Sequence, residues 1–133
     1  MTAERDLRTL LSGMRPVWNP GRYVFTTVPD GVVPDGAHPV VAVTESEGLT
    51  LVLPEAEAVR AGLRYDYVAG WITLRVHSAL DAVGFTAAVS LALTDVGLSC
   101  NVVAGFHHDH LFVPYDRAAE AVDVLRALAT ESG

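Results

Sequence analysis

Hydrophobic positions along the chain change period several times, and each change marks an element. Leu7, Leu10, Leu11 and Met14 recur at helical spacing, and Gly13, Pro16, Asn19, Pro20 and Gly21 follow them, so a short first helix is expected to end near Met14 and pass into a turn-rich link. Arg22–Val28, with Tyr23, Val24, Phe25, Thr26 and Thr27, has the β-branched and aromatic composition of a strand. Pro29–Pro39 is rich in proline and glycine and is expected to be a loop, the most mobile surface of the chain. Val40–Ser46 and Leu49–Leu53 read as a hairpin turning at Glu47–Gly48, and a short helix carrying Ala56, Val59 and Leu63 follows Pro54.

The second half is more regular. In Trp71–His77, Ile72, Leu74 and Val76 alternate with Thr73, Arg75 and His77, which predicts a strand. Phe85, Ala88, Val89, Ala92, Leu93 and Val96 line one stripe of a helix over 83–96 that Asp81 or Ser78 is suited to start and Gly97 to close in a left-handed cap. Ser99–Phe106 and His110–Val113 read as strands joined through His107, His108 and Asp109. A last helix opens after Pro114, with Asp116 suited to its N-cap and Ala118, Ala121, Val122 and Leu125 on its buried face. Strand, helix, strand, strand, helix is the order of an α+β fold that packs two helices on one face of an antiparallel sheet, ferredoxin-like in arrangement. One edge strand is then missing. Arg22–Val28, Tyr65–Ala69 and a second copy of the chain are the candidates to supply it.

Sliding the chain over itself by the separation of Pro54 and Pro114 superimposes Val43 on Val103, Leu51 on Leu111, Ala58 on Ala118 and Ala61 on Ala121 as well as the two prolines. The matched strand and helix boundaries coincide too. The chain therefore reads as two fused, similar halves, residues 1–64 being the degenerate copy and 65–133 the better preserved one.

Bulk composition narrows the function. With half of its 133 residues hydrophobic and a mean hydropathy of +0.31, the chain has enough apolar material for a core. A net charge of −7 argues against nucleic-acid binding, which needs a surplus of Lys and Arg to neutralise phosphates. The single cysteine, Cys100, excludes an internal disulfide and a multi-cysteine zinc site. The charged start lacks a secretory signal and no apolar run approaches the roughly 18 residues that span a bilayer, so a cytoplasmic protein without a membrane partner is expected.

The segment from Ile72 to Val89, then Gly97-Leu-Ser-Cys-Asn-Val-Val-Ala-Gly105, then His107-His-Asp-His-Leu-Phe-Val-Pro-Tyr-Asp-Arg-Ala118, resembles a family of small bacterial ACT-domain proteins. The resemblance covers almost the whole chain. It implies a tandem ACT protein similar to the amino-acid-sensing regulatory domains of aspartate kinases: 1–64 a degenerate ACT-like half, 65–133 an ACT domain. In that superfamily the turn after the first strand carries an acidic residue and a glycine, matched by Asp81 and Gly84, and the second strand of aspartate-kinase versions starts with an asparagine, matched by Asn101. Many ACT sequences have Pro-Gly in the turn where this one has Val83-Gly84. The resemblance further implies a small-molecule ligand, an amino acid, bound between paired units, and a homodimer.

Residue chemistry agrees in part. A strand running into a helix leaves unpaired N–H groups that suit a carboxylate, which makes Asp81, Val83, Gly84, Phe85 and Thr86 the first candidates; Gly84 equally serves a tight turn. Asn101 offers both donor and acceptor, or is a satisfied polar residue at a strand end. Thr44 and Glu45 lie on the pseudo-equivalent strand, where Glu45 is suited to an α-ammonium, although the composition is also ordinary for a hairpin tip. His107, His108, Asp109 and His110 are metal-ligand types, and a metal-binding protein or metal-dependent enzyme centred on them is the alternative function. Strand alternation separates His108 and His110 from His107 and Asp109, so a polar hairpin tip explains them as well. No nucleophile elbow, P-loop or dinucleotide fingerprint occurs. The expected function is thus non-catalytic ligand sensing, with no catalytic residues and no cofactor.

Overall fold

The computed structural model describes residues 3–133 of the chain. Its elements are α1 (Leu7–Gly13), β1 (Arg15–Val28), β2 (Val41–Glu45), β3 (Gly48–Pro54), α2 (Glu55–Arg60), β4 (Val68–Arg75), α3 (Phe85–Asp95), β5 (Asn101–Ala104), β6 (Asp109–Pro114) and α4 (Ala118–Ser132), with one 3-10 turn at Tyr115–Arg117. They form two compact units, Met1–Pro20 with Gly70–Gly133, and Gly21–Ala69. These units differ from the contiguous division at residue 64, because α1 and the first residues of β1 pack with the later part of the chain.

In the unit that contains Gly70–Gly133 the strand order is β1-β4-β6-β5. Strand β1 thus supplies the missing edge, and Arg15–Pro20 is its part that belongs to this unit, a stretch whose prolines suggested a turn. Proline lacks an N–H but is tolerated where one side of a strand is unpaired, and the register of β1 with β3 begins only at Tyr23. Asn19 fixes the stretch by donating from Nδ2 to the Trp71 carbonyl (3.3 Å) and to Thr73 Oγ1 (2.9 Å). Ile72, Leu74, Leu111 and Val113 turn one face of the sheet to Leu10, Phe85, Val89, Leu93, Ala121 and Leu125 of the helices. Fully burying a side chain such as Leu93 or Leu125 contributes roughly 1.5–3 kcal/mol each. Helix α1, with Asp6 capping it through Thr9 N (3.0 Å), joins α3 and α4 on that face. Helix α3 ends at Gly97, whose φ of 73° is the expected left-handed cap.

Two expected caps are absent. Neither Asp81 nor Ser78 caps α3, whose N-cap is Gly84 itself. Asp116 sits inside the 3-10 turn, and α4 begins after Arg117 with no side-chain cap. Arg117 instead donates to the carbonyls of Val96 and Gly97, both at 3.0 Å, and so ties the end of α3 to the start of α4.

The second unit has the order β2-β3-β1 and a small core of Val24, Val28, Leu51, Leu53 and Ala58. Its hairpin pairs Glu45 with Gly48, so the turn is Ser46–Glu47, one residue earlier than expected. Residues 29–40 form an irregular loop, tied down where Glu57 Oε1 accepts from His38 N at 2.6 Å. Glu55 receives Arg22 Nε at 2.7 Å and Tyr65 Oη at 2.9 Å.

The halves repeat in register. Val41 pairs with Val52, Ala42 with Leu51 and Val43 with Thr50; Asn101 pairs with Phe112, Val102 with Leu111 and Val103 with His110, the same pairs displaced by the Pro54-to-Pro114 interval. Each hairpin ends at its proline and turns into a helical segment whose buried alanine, Ala58 or Ala118, is fully enclosed. What differs is the connection before the hairpin: helix α3 in one half, the proline-rich loop 29–40 in the other.

Candidate functional site

The β4–α3 connection is the most built-up irregular segment of its unit. Ser78 forms a parallel bridge with Glu4, and Glu4 N donates to the His77 carbonyl while Ala79 N donates to that of Glu4, both at 2.8 Å. The chain then turns through Ala82 N to the Ala79 carbonyl (3.0 Å) and enters α3 at Gly84 with φ 93°, a conformation that glycine reaches without steric cost. No side chain caps the helix, so its first N–H groups have no side-chain acceptor and the positive end of its dipole lies at this turn.

Two cavities share Ser78, Ala79 and Leu80. One, of about 70 Å³, is lined also by Ala82, Phe85, Thr86, Ala104 and Asp109. The other, of about 270 Å³ and mostly apolar, adds Ala3, Arg5, His77, Asp81 and Phe106.

Of the candidate residues, Phe85 and Thr86 line the small cavity, Phe85 being also part of the core. Asp81 lies on the wall of the larger one, in a 2.9 Å ion pair with Arg5 that is exposed on both sides and therefore weak. Val83 is 84% exposed and lines neither cavity. Asn101 is exposed at the start of β5. Ala104, three residues further on and about 10 Å along the strand, is the β5 residue that reaches the turn. Thr44 and Glu45 lie exposed at the end of the β2–β3 hairpin, where Glu45 accepts a hydrogen bond from Thr50 Oγ1.

The histidine cluster is divided among separate partners. His107 packs between the rings of His77 (5.5 Å) and Phe106 (5.0 Å), and His108 Nδ1 lies 3.4 Å from the Val76 carbonyl. His110 Nδ1 accepts from Trp71 Nε1 at 3.0 Å; an indole can only donate, so this nitrogen carries no proton and the ring is the Nε2–H tautomer. Thr73 Oγ1, 3.1 Å away, then donates to the same nitrogen while accepting from Asn19. Burial lowers the His110 pKa, and His108 lowers it further while Asp109 opposes the shift. Among the described residues no three His, Cys, Asp or Glu side chains are gathered to hold a metal ion. Burial pushes the Cys100 thiol up to about 11, which leaves it protonated and unreactive.

Asp109 is the residue whose setting the sequence obscured. A polar hairpin tip suggested an exposed acid, yet Asp109 is only 8% exposed and faces the small cavity with Ser78, also 8% exposed. No local pattern could announce this, because the burial is created by a segment 31 residues earlier.

Comparison with known proteins agrees with this architecture. An ACT-domain model matches residues 2–70 and a second matches residues 67–127. No curated protein matches the chain. Among solved structures, a Vibrio cholerae protein of unknown function, described as a possible transport protein, is 43% identical, with a TM-score of 0.83 over 92% of this chain and 95% of that one. An Agrobacterium tumefaciens protein is 21% identical, with a TM-score of 0.67 over 87% of this chain and 89% of that one. The ligand-free regulatory subunit of aspartate kinase from Thermus thermophilus shares the fold at 8% identity, with a TM-score of 0.60 over 85% of this chain and 95% of that one. Among the described residues no helix is long and apolar enough to cross a membrane. With two ACT models in tandem, the first covering more than half of its length, the chain belongs to the ACT-domain family.

Proposed function

We propose that this protein is a non-catalytic cytoplasmic regulator that binds a small amino acid at the β4–α3 turn. The observation that carries the reading is the uncapped start of α3 next to two cavities, of about 70 and 270 Å³, that share Ser78–Leu80, with Phe85 and Thr86 of the first helical turn lining the smaller one. Uncapped N–H groups and the helix dipole favour a carboxylate there. Family membership supports the reading, since a regulatory subunit of aspartate kinase shares the fold.

Leu80, Val83 and Phe106 surround the turn at 69%, 84% and 73% exposure, which supports pairing of two chains as a homodimer at this edge. A ligand that binds the paired form better than the free one shifts the equilibrium between them and so signals its own concentration. Among the described residues no three His, Cys, Asp or Glu side chains come together, which favours ligand sensing over the metal-enzyme alternative.

Titration calorimetry of the apo-protein against the twenty amino acids, with light scattering on the same samples, tests the proposal. Heat from one or a few small amino acids, accompanied by a change in mass, is expected. Silence from all of them at millimolar concentration would overturn it.

A further inference from the structure

Asp109 is an acid only 8% exposed that lines the smaller cavity. Among the described residues the one hydrogen bond its side chain accepts comes from Ser78 Oγ, at 3.2 Å. Among the described residues no Lys, Arg or His ion-pairs with it: His108 Nδ1 is directed at the Val76 carbonyl and His110 Nδ1 is held by Trp71. A buried acid is ordinarily paired with a cation or with several donors, since an isolated charge is costly to desolvate. The space beside this one is the 70 Å³ cavity, room for about two water-sized groups. Its other walls are Ala79, Leu80, Ala82, Ala104 and Phe85, with Thr86 the one further polar residue.

We infer that Asp109 and Ser78 form an ammonium subsite, which takes the primary amine of a small ligand while the other walls limit what the amine is attached to. A divalent metal fits less well, because one carboxylate and one hydroxyl leave most of its coordination unfilled. A primary ammonium needs three acceptors in a compact volume; Asp109 and Ser78, which both line the cavity, carry three oxygens between them. This inference deepens the amino-acid reading and rests on it for the ligand's other groups. It replaces Glu45, on the exposed β2–β3 hairpin, as the ammonium partner.

The test uses the full chain, as wild type, Asp109→Asn and Ser78→Ala, in calorimetry against glycine, L-alanine and L-serine, their hydroxy-acid counterparts glycolate, L-lactate and L-glycerate, and ethylammonium. Asp109→Asn removes a buried charge that has no cation, so its melting temperature should equal or exceed that of wild type, and binding data from it are those of a folded protein. Expected are binding of an amino acid but not of its hydroxy acid, and weakening by Asp109→Asn of about 10–100-fold, the worth of a charge-assisted hydrogen bond. Ser78→Ala should weaken it less. An amino acid that binds wild type and Asp109→Asn alike would overturn the subsite and leave the proposed function standing. Ethylammonium binding that needs Asp109, with no amino acid bound, would keep the subsite and sink the amino-acid reading. Silence from every probe would overturn both.

Discussion

Gly70, in β4, is where the sheet and helix α4 come closest. A Cβ built on it would lie 2.8 Å from the Cβ of Ala118 and 3.4 Å from Trp18 Nε1. Carbon atoms in contact settle at about 3.5–4.0 Å, so Gly70→Ala must move the start of α4 or the strand by close to 1 Å. Ala118 cannot yield by rotating, since its methyl is fixed to the helix backbone and fully enclosed. Overpacking of this kind costs about 1–3 kcal/mol, and replacing a strand glycine returns roughly 0.5–1 kcal/mol of backbone entropy. The net loss expected for Gly70→Ala is about 1–2 kcal/mol, a fall in Tm of several degrees for a chain of this size. Ala118→Gly alone should cost a similar amount, from lost helix propensity and one buried methyl. In the double variant the clash disappears, so the two losses should fall short of additivity by about 1–2 kcal/mol. Equilibrium urea denaturation followed by Trp18 and Trp71 fluorescence measures all four corners of the cycle. Strict additivity, or a Gly70→Ala protein as stable as wild type, would refute the account of this contact.

His110 makes stability depend on pH. Its pKa is lowered in the folded protein, chiefly by burial, so the folded state binds the proton less readily than the unfolded chain. The contribution is therefore complete above the unfolded histidine value of about 6.5 and is lost as pH falls below it towards the folded pKa. Thermal melts between neutral and mildly acid pH should show a steeper decline for wild type than for His110→Gln, which can still accept from Trp71; equal slopes would contradict the assignment. At the β4–α3 turn, Gly84→Ala forces an L residue to φ 93° and brings its Cβ to 3.3 Å from Leu7 Cδ2, for a loss of about 1–2 kcal/mol. Gly97→Ala, at φ 73° with nothing within 4 Å of its Cβ, is the control. Both should lower Tm alike, but only Gly84→Ala should impair amino-acid binding by calorimetry.

Features determined by neighbouring residues were readable in advance. The α3 stripe, its Gly97 cap and the hairpins ending at Pro54 and Pro114 all follow from local period and punctuation. Arg15–Pro20 misled because two prolines announce a turn unless the far side of the strand is known to be unpaired. Asp116 has a good N-cap side chain, but the chain first winds through a 3-10 turn that puts Arg117 at the cap position. In the candidate site Gly84 was readable for the same local reason that α3 was. Asn101 stands at the start of β5 as its motif implies, and Ala104 is the residue of that strand that lines the smaller cavity. Asp109 was misjudged because its burial depends on Ser78, on a segment distant in sequence.

The proline-rich loop 29–40 stands where the other half has α3, although both hairpins that follow keep the same register. A site founded on a helix start can then be assembled once per chain, not twice, in spite of the duplication. Titrations should saturate at one equivalent per polypeptide, and the first half is free to diverge without competing for the same ligand.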